Sequence, residues 1–119
     1  MAKHNHTGAF GEELAVAYFR QKGYEILHCN WRHRHWEVDI IASKTGKLHF
    51  IEIKTRRSAR FGLPENSISP KKIQNLLNAA SVYLERYPGW TKIQVDVLSI
   101  VLEGSSVKEF FLIEDVYNY

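Results

Sequence analysis

Glu37, Asp39, Glu52 and Lys54 stand inside two apolar runs of the stretch WEVDIIASKTGKLHFIEIKTRR, residues 36–57. Both runs alternate in the manner of strands, and Thr45-Gly46 between them reads as a two-residue hairpin loop. In that register Lys44 faces Lys47, Asp39 faces Glu52 and Glu37 faces Lys54. Side chains alternate along a strand, so all four are expected on one face. Two carboxylates ~5 Å apart repel by about 3 kcal/mol at an effective dielectric of about 20. A lysine, a shared proton or a divalent cation must compensate.

Ligand chemistry points to a hard cation. Mg²⁺ takes oxygen donors and is commonly held by one or two carboxylates, with water and substrate phosphate completing the shell. Asp39 and Glu52 offer two oxygens from adjacent strands, and the Ile53 carbonyl offers a third. Lys54, two residues beyond Glu52, is placed to orient an attacking hydroxide or to stabilise charge on a pentavalent phosphorus. Glu12 falls on the edge of a helical stripe and could reach the metal directly or through water, whereas Glu13 faces away. The expected metal set is Asp39, Glu52 and Glu12, with Mg²⁺ or Mn²⁺, and the expected catalytic set adds Lys54. The competing reading makes Glu37 and Lys54 a plain cross-strand ion pair and the other acids ordinary surface charges. Leu48 and Phe50 share the face of Glu52 and Lys54, which favours a buried edge opening into a cleft.

The elements that must position these groups follow from periodicity and caps. Residues 7–22 read as a first helix, with Thr7 as N-cap and Gly23 just past the end. Phe10, Leu14, Ala15, Tyr18 and Phe19 form its apolar stripe. A strand over 24–30 and a basic connection over 32–35 come next, followed by strands over 36–43 and 47–54. A second helix opens at Ser69-Pro70 and ends at Pro88-Gly89, with Ile73, Leu76, Leu77, Ala80, Leu84 and Tyr87 at helical spacing. Strands over 92–101 and 107–113 complete the chain. The order α-β-β-β-α-β-β predicts an α/β fold, a central mixed five-stranded sheet flanked by helices. The third and fourth strands are expected to run parallel across the second helix.

Several ordered motifs also carry a resemblance. GEELA (11–15), NWR (30–32), EVDIIA (37–42), FIEIKTR (50–56), FGLPE (61–65), Lys71 and VDV (95–97) resemble the YraN-like family of small bacterial proteins. That family is related to Holliday-junction resolvases and to the PD-(D/E)xK nuclease superfamily. The resemblance implies a restriction-endonuclease-like fold with site residues at Glu12, Asp39, Glu52 and Lys54. Three positions depart from the pattern: Trp36 replaces a glycine, Val38 a proline, and Gln94-Val95 an arginine-phenylalanine pair. Asp96, in a strand with Ile93, Val95 and Val97, reads as structural and not catalytic.

Arg32, Arg34 and Trp36 precede the acidic strand, and Arg56, Arg57 and Arg60 follow the lysine. A hairpin brings both basic clusters to one end of the sheet, where arginines would contact phosphates and an exposed tryptophan would stack on a base. Lys71 and Lys72, in the first turn of the second helix, add charge that a phosphate would relieve, and Lys71 joins the expected contact set. The bland alternative is a solubilising basic loop. The 119 residues suit one domain, 1–119, with residues 1–6 flexible and His4 and His6 in a frayed terminus. A composition of 45% hydrophobic and 24% charged residues with a net charge of +3 fits a globular protein that tolerates a polyanionic partner. The single cysteine, Cys29, in an apolar neighbourhood, excludes an internal disulfide and a cysteine-based zinc site. No stretch reads as a signal peptide or a membrane span, so the expected location is the cytoplasm, without a membrane partner.

The function read from all this is divalent-metal-dependent hydrolysis of DNA phosphodiester bonds, with branched DNA implied by the resemblance and DNA favoured over RNA. Resolving a two-fold junction would need two sites and hence a homodimer. The alternative is a non-catalytic nucleic-acid-binding module of the same fold.

Overall fold

Strand β1 (Glu25–His33), β2 (Trp36–Lys44), β3 (Lys47–Arg56), β4 (Ile93–Glu103) and β5 (Ser106–Ile113) form one sheet in the order β1-β2-β3-β4-β5. The computed structural model describes residues 5–57 and 68–116, with side chains described from Phe10 onward in the first helix. All neighbouring strands are antiparallel except β3 and β4, which run parallel. Helix α1 (Asn5–Gln21) precedes the sheet, and α2 (Pro70–Arg86) lies between β3 and β4. The expected α/β fold with a mixed sheet is therefore present.

Each face of the sheet has its own core. Phe50, Leu48, Val95 and Val97 pack with Leu76, Ala79, Ala80 and Tyr83 of α2, while Ile40, Ile51, Leu98 and Ile100 pack with Ala15 and Phe19 of α1. Covering on both faces explains why β4 is buried continuously from Gln94 to Leu102. Ser69 caps α2, its Oγ accepting from the Lys72 N–H at 3.1 Å, with Pro70 at the first helical position. The buried stripe of α2 is turned slightly from the expected one. Ala79 and Tyr83 are inside, and Tyr87 is exposed because the helix has already ended there.

Several boundaries differ from expectation. Helix α1 begins at Asn5, so Thr7 lies within it and does not cap it. Arg32 and His33 belong to β1, leaving Arg34-His35 as the turn. Cys29 is exposed. His4, Arg60 and FGLPE (61–65) lie outside the described residues, and nothing is described of the His6 side chain.

Thr45 and Gly46 both have positive φ, 48° and 81°, the pairing that a type I′ hairpin turn requires. Glycine accepts this geometry freely, but a β-branched residue does not. Thr45→Asn is expected to raise stability by about 1 kcal/mol, read as a higher urea midpoint. An unchanged or lower midpoint would mean that Thr45 is not strained.

Candidate functional site

The hairpin register holds as expected from Lys44↔Lys47 to Ile40↔Ile51 and stops there. The Asp39 side chain ends it, because its Oδ2 accepts the Ile53 N–H at 2.8 Å. That N–H is lost to the ladder, an instance of a short acid competing with sheet pairing for backbone donors. Alternation is broken at the same place: Ile40 packs on the α1 side, yet Val38, two residues away, packs on the α2 side. On β1, Asn30 sits opposite this break with φ 54°. The strands diverge, and side chains from both helices meet at the gap.

Glu12 reaches the gap from α1. Gly11 lets the helix approach β3 closely, since a Cβ there would collide with Thr55 Oγ1. Asn30 Nδ2 donates to Glu12 Oε1 at 3.1 Å and fixes the carboxylate. Glu12 is half-buried and Glu13 exposed, as the helical phase predicted. From α2 comes Lys72, whose Nζ lies 3.5 Å from Glu52 Oε2. Lys54 Nζ stands 3.9 Å from the same oxygen. Glu52 itself is only 5% exposed.

Electrostatics tie these groups together. Burial, followed by the Asp39 charge, pushes the Glu52 carboxyl up to about 7, against the pull of Lys72 and Lys54. Burial also raises Asp39, opposed by the Ile53 N–H and Lys72 and assisted by Glu12 and Glu37. Two carboxyls that both resist ionisation beside two ammonium groups are unusual and are characteristic of functional sites.

Glu37 departs from the expected arrangement. It does not pair with Lys54 in the β2–β3 ladder; it forms an ion pair with Arg32 across β1 and β2, and it is exposed. The register slip at Asp39 turns it away. Lys54 and Lys72 thus stand beside Glu52, and Asp39 interacts electrostatically with Glu52 and Glu12, but among the described residues no three acids are arranged to hold a metal, and Glu37 is turned away.

Lys72 is the site residue that the sequence reading left without this role. Its signal was present, for Lys72, Leu76, Ala79 and Tyr83 follow helical spacing and the last three are buried. Lys71, one position off that stripe, is exposed. Asn30 carries a weaker signal, an asparagine being among the few non-glycine residues that tolerate positive φ.

The basic residues lie near the start of β2 and near the end of β3, two segments that the shortened ladder, ending at Ile40 and Ile51, does not pair with each other. Arg57 Nη1 donates to the Gly104 carbonyl at 2.9 Å, which ties the end of β3 to the β4–β5 turn. Arg34, at φ 59°, is exposed in the β1–β2 turn, and Trp36 is half-buried against the α2-side core. Arg56 is half-buried at the end of β3. Arg86 joins the group from the end of α2, 3.2 Å from His33 Nδ1 and over the Trp31 ring.

Asp96 is structural, as its strand context suggested. Fully buried, it accepts from His49 Nδ1 at 2.7 Å, Gln94 Nε2 at 2.8 Å and the Asp115 N–H at 2.9 Å. Among the described residues no helix is long and apolar enough to cross a membrane.

The comparisons with known proteins agree with one another. Residues 11–100 match the model of the family described as Uncharacterised protein family UPF0102. A UPF0102 protein of Syntrophomonas wolfei is 46% identical over 102 residues, covering 85% of this chain and 89% of its own. One from Christiangramia forsetii is 40% identical over 119 residues, covering 100% and 99%. A Bacteroides fragilis relative, UPF0102 protein BF0634, is 38% identical over 101 residues, covering 85% and 84%. The matched span contains every residue of the gap between β2 and β3, and the chain belongs to the UPF0102 family.

Proposed function

We propose that the protein is a divalent-metal-dependent, endonuclease-like domain that hydrolyses DNA phosphodiester bonds. Its fold on this reading is the restriction-endonuclease-like one of the PD-(D/E)xK superfamily, on the Holliday-junction-resolvase branch, with branched DNA as substrate. The observation that carries the reading is the pair Asp39 and Glu52, on neighbouring strands, both reluctant to ionise, with Lys54 and Lys72 beside Glu52.

The donor set fits Mg²⁺ or Mn²⁺. Among the described residues no group of three His, Cys, Asp or Glu side chains is arranged to hold a metal, which disfavours an all-protein cage. Mg²⁺ does not need one, being commonly held by one or two carboxylates, water and substrate phosphate. Asp39 and Glu52 would hold it, with Glu12 acting through water. A cation there also offsets the burial that raises both carboxyls and the Asp39 charge that raises Glu52 further. When bound, it supplies Lewis-acid stabilisation of phosphoryl oxygens and acidifies water.

The chain's own residues do the rest. The Ile53 N–H locks one Asp39 oxygen and so orients the other. Lys54, more than a third exposed, donates to a phosphate oxygen or orients the attacking water, and Lys72 faces the charge that builds on phosphorus. Arg34, Arg56, Arg57 and Lys71 contact flanking phosphates, and Trp36 borders the strand path. Arg32 contributes less, because Glu37 already pairs with it. A two-fold junction would engage two copies of the chain.

Linear, single-stranded and four-way-junction DNA incubated with Mg²⁺, Mn²⁺ or EDTA test the reading on one gel. Cleavage only with a divalent ion is expected. Lys72→Ala should slow it by about a hundredfold, while Lys71→Ala stays within a few-fold of the parent. Equal losses for the two lysines would remove Lys72 from the chemistry. A second reading, a nucleic-acid-binding module without turnover, is favoured by one observation: both lysines already engage Glu52. Tight DNA binding without cleavage under either ion would establish that reading instead.

A further inference from the structure

A polar pocket of about 550 Å³ lies at the other end of the sheet, around the β2–β3 turn, lined among others by Lys22, Lys44, Lys47, His49 and Gln94. It is separate from the acidic site. Glu52 is five positions beyond Lys47 on β3, about 17 Å at strand rise. His49 is set on the α1 side with Ile51, whereas Glu52 alternates to the α2 side with Phe50.

Two features make the pocket a built site. Its lysines are held by neutral groups and not by acids. Lys22 lies over the Tyr18 ring and Lys44 over the Tyr24 ring, each 5.0 Å from the centroid, and Lys47 Nζ donates to Gln94 Oε1 at 3.0 Å. Among the described residues none of the three has a carboxylate within ion-pair distance, so their charge stays available. Among the described residues Glu114 is the single acid on the lining, and it accepts from Gln94 Nε2.

The second feature is His49, 5% exposed and yet on the pocket wall. A carboxylate only accepts, so Nδ1 donates to Asp96 Oδ2, and Tyr24 packs edge-on against the ring. That bond fixes the ring and leaves Nε2 without a protein partner among the described residues.

We propose that this pocket binds a singly protonated phosphate group, its charged oxygens gripped by Lys22, Lys44 and Lys47 and its P–OH donating to His49 Nε2 at the base. Three ammonium groups, against Glu114 on the lining and Asp96 behind His49 among the described residues, favour an anion over a neutral ligand. The two sources of such a group are free phosphate and the terminal phosphate of a nucleotide.

Titration of the full chain in EDTA, followed by amide NMR and calorimetry, tests this. Inorganic phosphate is expected to shift the amides of residues 44–49 and Gln94 saturably, and sodium chloride of equal ionic strength is not. The double variant Lys44→Gln, Lys47→Gln should weaken binding about a hundredfold, roughly tenfold per lysine. His49→Gln, with both lysines intact, should weaken it about tenfold. Adenosine 5′-monophosphate binding more tightly than phosphate names a nucleotide as the source, and equal binding names free phosphate. Shifts matched by sodium chloride, adenosine binding as well as its monophosphate, or unchanged affinity in the lysine variant would each overturn the proposal. DNA cleavage does not enter the readout, so this test stands apart from that of the acidic site.

Discussion

Asp39→Asn is expected to lower Mg²⁺-dependent DNA cleavage by about a hundred- to a thousandfold while changing DNA affinity by no more than a few-fold. The asparagine amide keeps an oxygen that can accept the Ile53 N–H, so the backbone of the β2–β3 gap should survive. What it loses is the negative charge. Cleavage therefore falls because one of two anionic oxygens is gone, whereas affinity persists because the arginine-rich end of the sheet is untouched. The substitution should also let Glu52 ionise more readily, since the Asp39 charge is the second-largest cause of its raised pKa. Titration of the Glu52 carboxyl by NMR would then show a midpoint below that of the parent. Full cleavage by the variant would dismiss Asp39 from the chemistry, and an unmoved Glu52 titration would dismiss the electrostatic pairing.

The local grammar of the chain was legible wherever one residue type settles a conformation. Thr45-Gly46 specifies a type I′ turn, and the turn fixes the hairpin register that brings β2 against β3. Ser69-Pro70 opens α2, and the helical phase separates Glu12 from Glu13. Both depend on neighbours in sequence.

What periodicity could not reveal depends on competition between distant groups. The ladder was expected to run on to Glu37 and Lys54, but the Asp39 carboxylate claims the Ile53 N–H and the strands part. Strand alternation contains no information about which acceptor wins a given donor. The same slip delivers Glu37 to Arg32, so a residue expected beside the lysine serves a surface ion pair. The His49–Asp96 pair was hidden for another reason. Parallel pairing across a helical crossover has no turn to set its register, and only the folded sheet places Asp96 beside Ile51.

Glu52→Gln is expected to stabilise the metal-free protein at pH 8 by about 3 kcal/mol, at the cost of cleavage. The folded-state pKa of Glu52 is about 7, raised from 4.5. A carboxyl whose folded pKa is raised holds its proton more tightly in the native state than in the unfolded chain. Its contribution is therefore neutral below about pH 4.5, and the native state loses stability as pH rises through the window to 7. Glutamine cannot ionise and escapes this loss, so the stability difference between variant and parent should be near zero at pH 4 and full above pH 7. Lys72 and Lys54 are substantially exposed and can turn to water when their partner becomes neutral. Adding Mg²⁺ at pH 8 should raise the melting temperature of the parent, because a cation bound only by the native state offsets the cost of the buried Glu52 charge and its repulsion by Asp39. The variant should respond far less. Urea unfolding at pH 4, 6 and 8, with and without Mg²⁺, measures all of this independently of any DNA. A Glu52→Gln protein less stable than its parent at pH 8 in EDTA would mean that the lysines outweigh burial, and a metal response retained in full would place the cation elsewhere.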